Sequence, residues 1–229
     1  LMLGAATVSG NLSLTADVNN DSTSTLQIKT AISVGGSVTL SGGGTGTNDT
    51  IDIDADITAA TTLTIQNAAT VDLAANVDLT TTNGELSVVT NITAINLSGA
   101  NGTTNIIDGN GDALVTLANL TDTNNPNLTV NSEGSITLAG ADLGTGTHLF
   151  NTDNDDDGTE TLQVNDAATF NVGAATFRGG TGTNDTIDIN ADSTAATTLT
   201  IQSAATVDLA GSVDLTTTNG ALSVVSNVT

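Results

Sequence analysis

Apolar residues along this chain come in pairs separated by a single polar residue. Ile51/Ile53, Leu63/Ile65, Val71/Leu73, Val77/Leu79, Leu86/Val88 and Ile95/Leu97 form one series. Leu128/Val130, Ile136/Leu138, Leu162/Val164 and Phe170/Val172 continue it. The residues between the members of each pair are Thr, Asp, Ser, Gln or Asn. Side chains alternate across a strand, so each pair predicts a short strand with one face inward and one outward. Asn83-Gly84, Asn101-Gly102, Asn110-Gly111, Asn219-Gly220 and the glycine cluster Gly42–Gly46 predict tight turns between these strands. Helical periodicity is missing, and the abundant threonine suits strands.

The pattern returns after 22–24 residues: Leu63/Ile65 to Leu86/Val88, Val71/Leu73 to Ile95/Leu97, Leu114 to Ile136, Leu138 to Leu162. Short strands at this spacing predict an all-β chain, a right-handed parallel β-helix (β-solenoid) with rungs of about 23 residues. Tandem β-sandwich domains are the alternative, and they require longer alternating strands.

A second, longer period is superimposed. Gly43–Thr93 recurs as Gly179–Thr229 at an offset of 136, without a gap and with 43 of 51 positions identical. This divides the chain into a first repeat unit, 1–136, and a partial second unit, 137–229, of one continuous solenoid. Six rungs of about 23 residues fill such a unit. Near-identity over so long a block indicates recent tandem duplication, and the expectation is a parent chain that continues in at least one direction.

Charge narrows the partners. The net charge is −23, and Lys29 and Arg178 are the only basic side chains besides His148. Two cations cannot neutralise a row of phosphates, so nucleic acid is excluded as a partner, and an anionic membrane surface repels the chain. No apolar run is long enough for a membrane helix, so no membrane insertion is expected. Absence of cysteine removes disulfides and thiolate metal ligands. Phe150, Phe170 and Phe177 are the only aromatics; they sit at inward-type positions and predict core, leaving no platform for a sugar cleft. Asp52, Asp54 and Asp56 alternate with apolar residues and predict an acidic outer face. Lys29 and Arg178 belong to different units and His148, read as a turn or surface residue, has no nucleophile partner. No catalytic residue is assigned, and the chain is expected not to be an enzyme.

Calcium is the candidate cofactor. Asp153, Asp155 and Asp157 stand in a D-x-D-x-D-G run, the alternation of oxygen ligands and glycine used by calcium loops. The glutamate expected at the end of such a loop is replaced by Val164, and Glu160 is a substitute in a shorter loop. Asp17, Asn19 and Asp21 occupy the repeat-equivalent stretch, and Asp108, Asn110 and Asp112 form a third D-x-N-x-D. The competing reading of each is a solvated turn closed by side-chain hydrogen bonds to its own backbone. Gly43–Ile51 is also similar to a calcium β-roll nonapeptide with one residue inserted before Asn48-Asp49, although a roll needs tandem copies.

The stretch LTIQNAATVDLAANVDLTTTNGELSVV (Leu63 to Val89) resembles the repetitive β-helical shafts of large bacterial surface and secreted proteins of the filamentous-haemagglutinin and autotransporter-adhesin type. The resemblance implies an extracellular, elongated, non-catalytic shaft. The expected function is therefore a structural segment of a cell-surface or extracellular repeat protein (filament, sheath, surface layer or adhesin shaft), rigidified by calcium. Its expected partners are copies of itself or adjoining repeats. The alternative is an adhesive module that binds a surface glycan or host ligand. The non-repeated stretch Ala94–Ser135 carries no aromatic, which favours the structural class.

Overall fold

The alternating pairs become strands of two to six residues, three to each turn of the chain. One turn contributes Thr50–Ile53, Ile57–Ala59 and Leu63–Gln66, and the next contributes Ala68–Leu73, Asp78–Thr81 and Leu86–Val88. Each strand pairs in parallel with its counterpart one turn away, Val71 beside Ile51, Leu79 beside Ile57, Leu86 beside Leu63. The computed structural model describes residues 1–19, 22–43, 48–155, 158–165, 170–180 and 184–225. Among them are three parallel sheets of ten, ten and nine strands, here called A, B and C in the order a turn visits them. They form a β-solenoid of about nine turns of about 24 residues, with no helix. Every pairing runs between turns, so the sandwich alternative is excluded.

The inward columns are continuous. In sheet A, Ile51, Val71, Ile95 and Leu120 stack on one another, and in sheet C the column runs Leu63, Leu86, Val115, Ile136, Leu162 and Ile187. Two spacings differ from the sequence expectation. Val115, not Leu114, lies beneath Ile136, and Leu162 pairs with Ile136, not Leu138. The cause is the corners, whose lengths vary: Leu86 to Val115 takes 29 residues and Val115 to Ile136 only 21. Leu114 falls at a corner and is left 38 % exposed.

Stacked Leu, Ile, Val and Ala fill the prism, joined near the C-terminal end by a cluster of the three phenylalanines. Phe150, Phe170 and Phe177 are fully buried, with ring centroids 5.1–5.7 Å apart in edge-on or tilted pairs. Each buried side chain of this size contributes about 1.5–3 kcal/mol, and in a solenoid the sum is collected between neighbouring turns.

Corners are turned by residues in the left-handed region. Asn67 (φ 53°) and Asn91 (φ 56°) stand at the corner between sheets C and A in consecutive turns. Asn91 Nδ2 donates to Asn67 Oδ1 at 2.7 Å, and Asn67 Nδ2 donates to Ser41 Oγ at 3.3 Å, so the corner is a small ladder of side chains. Asparagine tolerates this conformation where alanine does not. Replacing Asn67 with alanine is expected to cost about 2 kcal/mol, combining backbone strain with two lost hydrogen bonds. Hydrogen exchange at Ala68–Leu73 would read it; unchanged protection there would refute it.

The 136-residue unit does not span six rungs. Thr50–Ile53 lies in sheet A, but its copy Thr186–Ile189 lies in sheet C. Ile57–Ala59 moves from sheet B to sheet A, and Leu63–Gln66 from sheet C to sheet B. At about 24 residues per turn, the unit ends one strand short of six turns. The copies nevertheless keep their local bonding. Gln27 Nε2 donates to Asp52 Oδ2 at 3.0 Å on sheet A, and Gln163 Nε2 donates to Asp188 Oδ2 at 3.0 Å on sheet C. The exchange is tolerated because all three faces make the same demand, apolar inward and polar outward.

Candidate metal centre

At the corner between sheets B and C the chain leaves the strand Thr147–Asn151 through two buried residues, Thr152 and Asp153. The Thr152 N–H donates to Arg178 O at 2.9 Å and its hydroxyl donates to Gly134 O at 2.6 Å. Asp153, with φ 49°, is thereby held facing the corner and is 2 % exposed. Glu160 and Asp185 come from two successive turns, each immediately before a sheet C strand, Thr161–Val164 and Thr186–Ile189. The Thr186 N–H donates to Glu160 O at 2.9 Å, and the Glu160 N–H donates to Asp185 Oδ1 at 3.2 Å. One carboxylate oxygen from each of Asp153, Glu160 and Asp185 lies within 4.8 Å of the others. Asp185 is fully buried, and its Oδ2 has no hydrogen-bond partner among the described residues.

Gly179 and Gly180 pass directly over this corner. A Cβ on Gly179 would stand 2.5 Å from Ser203 O and 3.2 Å from Asp185 Cβ, and one on Gly180 would strike the Asp153 carboxylate. The glycines are therefore needed for close approach of the backbone to the acids.

The first repeat copy builds the same corner between sheets C and A. Ser24 N–H donates to Asp49 Oδ1 at 2.7 Å, matching Glu160 on Asp185. Ala69 and Thr70 donate to Asp49 O as Ala205 and Thr206 donate to Asp185 O. Gly43 lies against Asp49 and Asp17 as Gly180 lies against Asp153. Asp49 is also buried, with Oδ2 unpartnered among the described residues. Serine at 24, where the second copy has Glu160, leaves this corner with the carboxylates of Asp17 and Asp49 among the described residues.

The residues singled out in sequence are distributed differently from a linear loop. Asp153 joins the cluster, while Asp155 is exposed and Asp157 lies outside the described residues. Asp17 accepts the Asn19 N–H at 3.1 Å and the Ser22 N–H at 3.2 Å, closing its own turn; Asn19 is exposed and Asp21 lies outside the described residues. Asn110 Nδ2 donates to Asp108 Oδ2 at 3.3 Å and to Thr81 O at 2.8 Å, but Asp112 is exposed in the left-handed region and stays apart. Asp185 was not singled out. Its signal was its place, with Asp49, in the Asn-Asp-Thr that precedes the Ile-Asp-Ile strand in both copies.

Elsewhere the acids are dispersed. Lys29 pairs with Asp54 and, at 2.9 Å, with Asp52, and these hydrogen bonds hold its ammonium pKa above the usual value. Burial, with Asp56 and Asp108 nearby, raises the Asp78 carboxyl. Burial also raises Asp122, with Asp142 adding to it and the Gly144 N–H opposing it. Both ion pairs of Lys29 are made with sheet A, on acids outside the corner cluster.

His148 is the clearest departure from the sequence reading. It is fully buried, stacked between Leu128 and Ala175 on the inner face of sheet B. Burial lowers its pKa to about 4, and the Gly144 backbone opposes this.

No protein-family model matches this chain, and neither a curated protein nor a solved structure matches it at a significant level.

Proposed function

We propose that the chain is a non-catalytic structural segment of an extracellular repeat protein, a shaft whose task is to set length. The observation that carries this reading is the change of face between repeat copies. A lateral binding surface must recur on one side to be extended by duplication. Here a near-identical block moves every outward side chain to a different sheet while the inward–outward alternation and the Gln–Asp hydrogen bond are kept. What duplication preserves is the rod, not a face.

The shaft of a large bacterial surface or secreted protein, of the adhesin or filament kind, is the setting that suits this best. Its natural partners are turns of the same kind, from adjoining repeats or from another copy. The adhesive reading finds less support. The depression beside Ala6, Ile32, Ser33, Asp56 and Thr58, about 340 Å³, offers no aromatic platform.

Chains carrying one and two additional 136-residue units test the proposal. Each unit is expected to lengthen the rod by about 27 Å at constant cross-section, at roughly 4.8 Å per turn. Small-angle scattering or electron microscopy reads this directly. Units that fold back into separate globules, or a strong glycan-array signal from the single chain, would overturn it.

A further inference from the structure

We propose that Asp153, Glu160 and Asp185 bind one calcium ion at the corner between sheets B and C, clamping two successive turns together. Three carboxylates contribute oxygens within 4.8 Å of one another, and two of the three residues are at most 2 % exposed. Like charges this close, removed from water, repel strongly unless one takes up a proton or a cation sits among them. The second observation is independent of the clustering. Asp185 Oδ1 accepts the Glu160 N–H, whereas Oδ2 is buried with no partner among the described residues. Such an orphaned acceptor is costly, and a cation satisfies it.

The donor set selects the ion. All donors are hard oxygens, with no imidazole or thiolate, which disfavours zinc and copper. Magnesium demands near-ideal octahedral geometry and keeps its water, while calcium accepts an irregular set of carboxylates. Asp153 and Glu160 come from one turn and Asp185 from the next, so the bound ion joins adjacent turns. The clamp stands or falls separately from the shaft reading, since it concerns one corner and not the rod's task.

Titration calorimetry and thermal melts of the full chain with calcium chloride, at about 0.15 M salt to screen diffuse binding to the acidic surface, test it. The wild-type chain is expected to bind about one equivalent saturably and to melt at higher temperature with calcium than with EDTA. Glu160→Gln and Asp185→Asn are each expected to weaken binding tenfold or more and to abolish the calcium-dependent rise. In EDTA both should melt no lower than wild type, because each removes one of three mutually repelling charges. Asp155→Asn, on the exposed loop, should leave the isotherm unchanged. Glu160→Gln decides alone if Asp185→Asn fails to fold, since Glu160 is only partly buried. No saturable binding at millimolar calcium, or an isotherm that Glu160→Gln leaves intact, overturns the proposal.

Discussion

Replacing Phe150 with alanine is expected to destabilise the C-terminal turns by about 3–5 kcal/mol, the range for emptying a buried aromatic site. Phe150 stands in the sheet B column between Val130 and Phe177, and Phe170 reaches it across the core from sheet A. Its removal opens a void between three turns and dissolves two of the three ring pairs, at 5.6 and 5.7 Å. The stack is rigidly surrounded by hydrogen-bonded strands, so little collapse can offset the loss. Because turns interact only with neighbours, the effect should be local. Amides between about Leu128 and Ile201 are expected to lose exchange protection, while the turns holding Ile51 to Leu97 keep theirs. Phe150→Leu should cost less than the alanine variant, since it leaves a smaller void and the aliphatic Val130 and Ile201 occupy other positions of the same column. Equal loss of protection along the whole rod would show that the turns unfold as one unit instead.

Acidification is expected to destabilise the same region through His148. The unfolded chain takes a proton on this imidazole near pH 6.5, the folded chain only near 4. Between those values the unfolded state binds more protons, so stability falls as pH falls from about 6.5 towards 4. The full effect approaches about 3 kcal/mol, at 1.36 kcal/mol for each tenfold change in proton affinity. His148→Leu continues the column of Leu128 and removes the titrating group. Its stability should exceed that of wild type at pH 5 and lose the slope across this window. Denaturant midpoints between pH 7.5 and 4.5 check both; parallel pH curves for the two chains would refute the assignment.

Much of the fold was legible because it depends only on parity. In Ile51/Ile53, Leu86/Val88 or Ile136/Leu138, a pair with one residue between its members fixes which side faces the core, whatever the corners do. Corner lengths are not fixed by parity, which is why spacing alone points to Leu114, one position before Val115, and to Leu138, two positions after Ile136. His148 precedes Phe150 by two residues and so shares its inward parity; its polarity concealed what its spacing implied. The acidic corner was half legible. Asp153 lay in an obvious run of acids, but the third ligand, Asp185, is brought there by a turn of the solenoid and not by nearness in sequence. The change of sheet between copies was hidden because one unit falls only a single strand short of a whole number of turns.

That one missing strand governs how a tandem array would meet its surroundings. Each further unit would enter the stack turned by about a third of a revolution from the one before. Any group it displays, the Gln-Asp pair or the acidic corner, would then trace a slow spiral along the rod, returning to the same azimuth only after three units. Such a rod has no front or back. Neighbours held by these groups would approach from three directions, favouring a bundle over a sheet attached along one side.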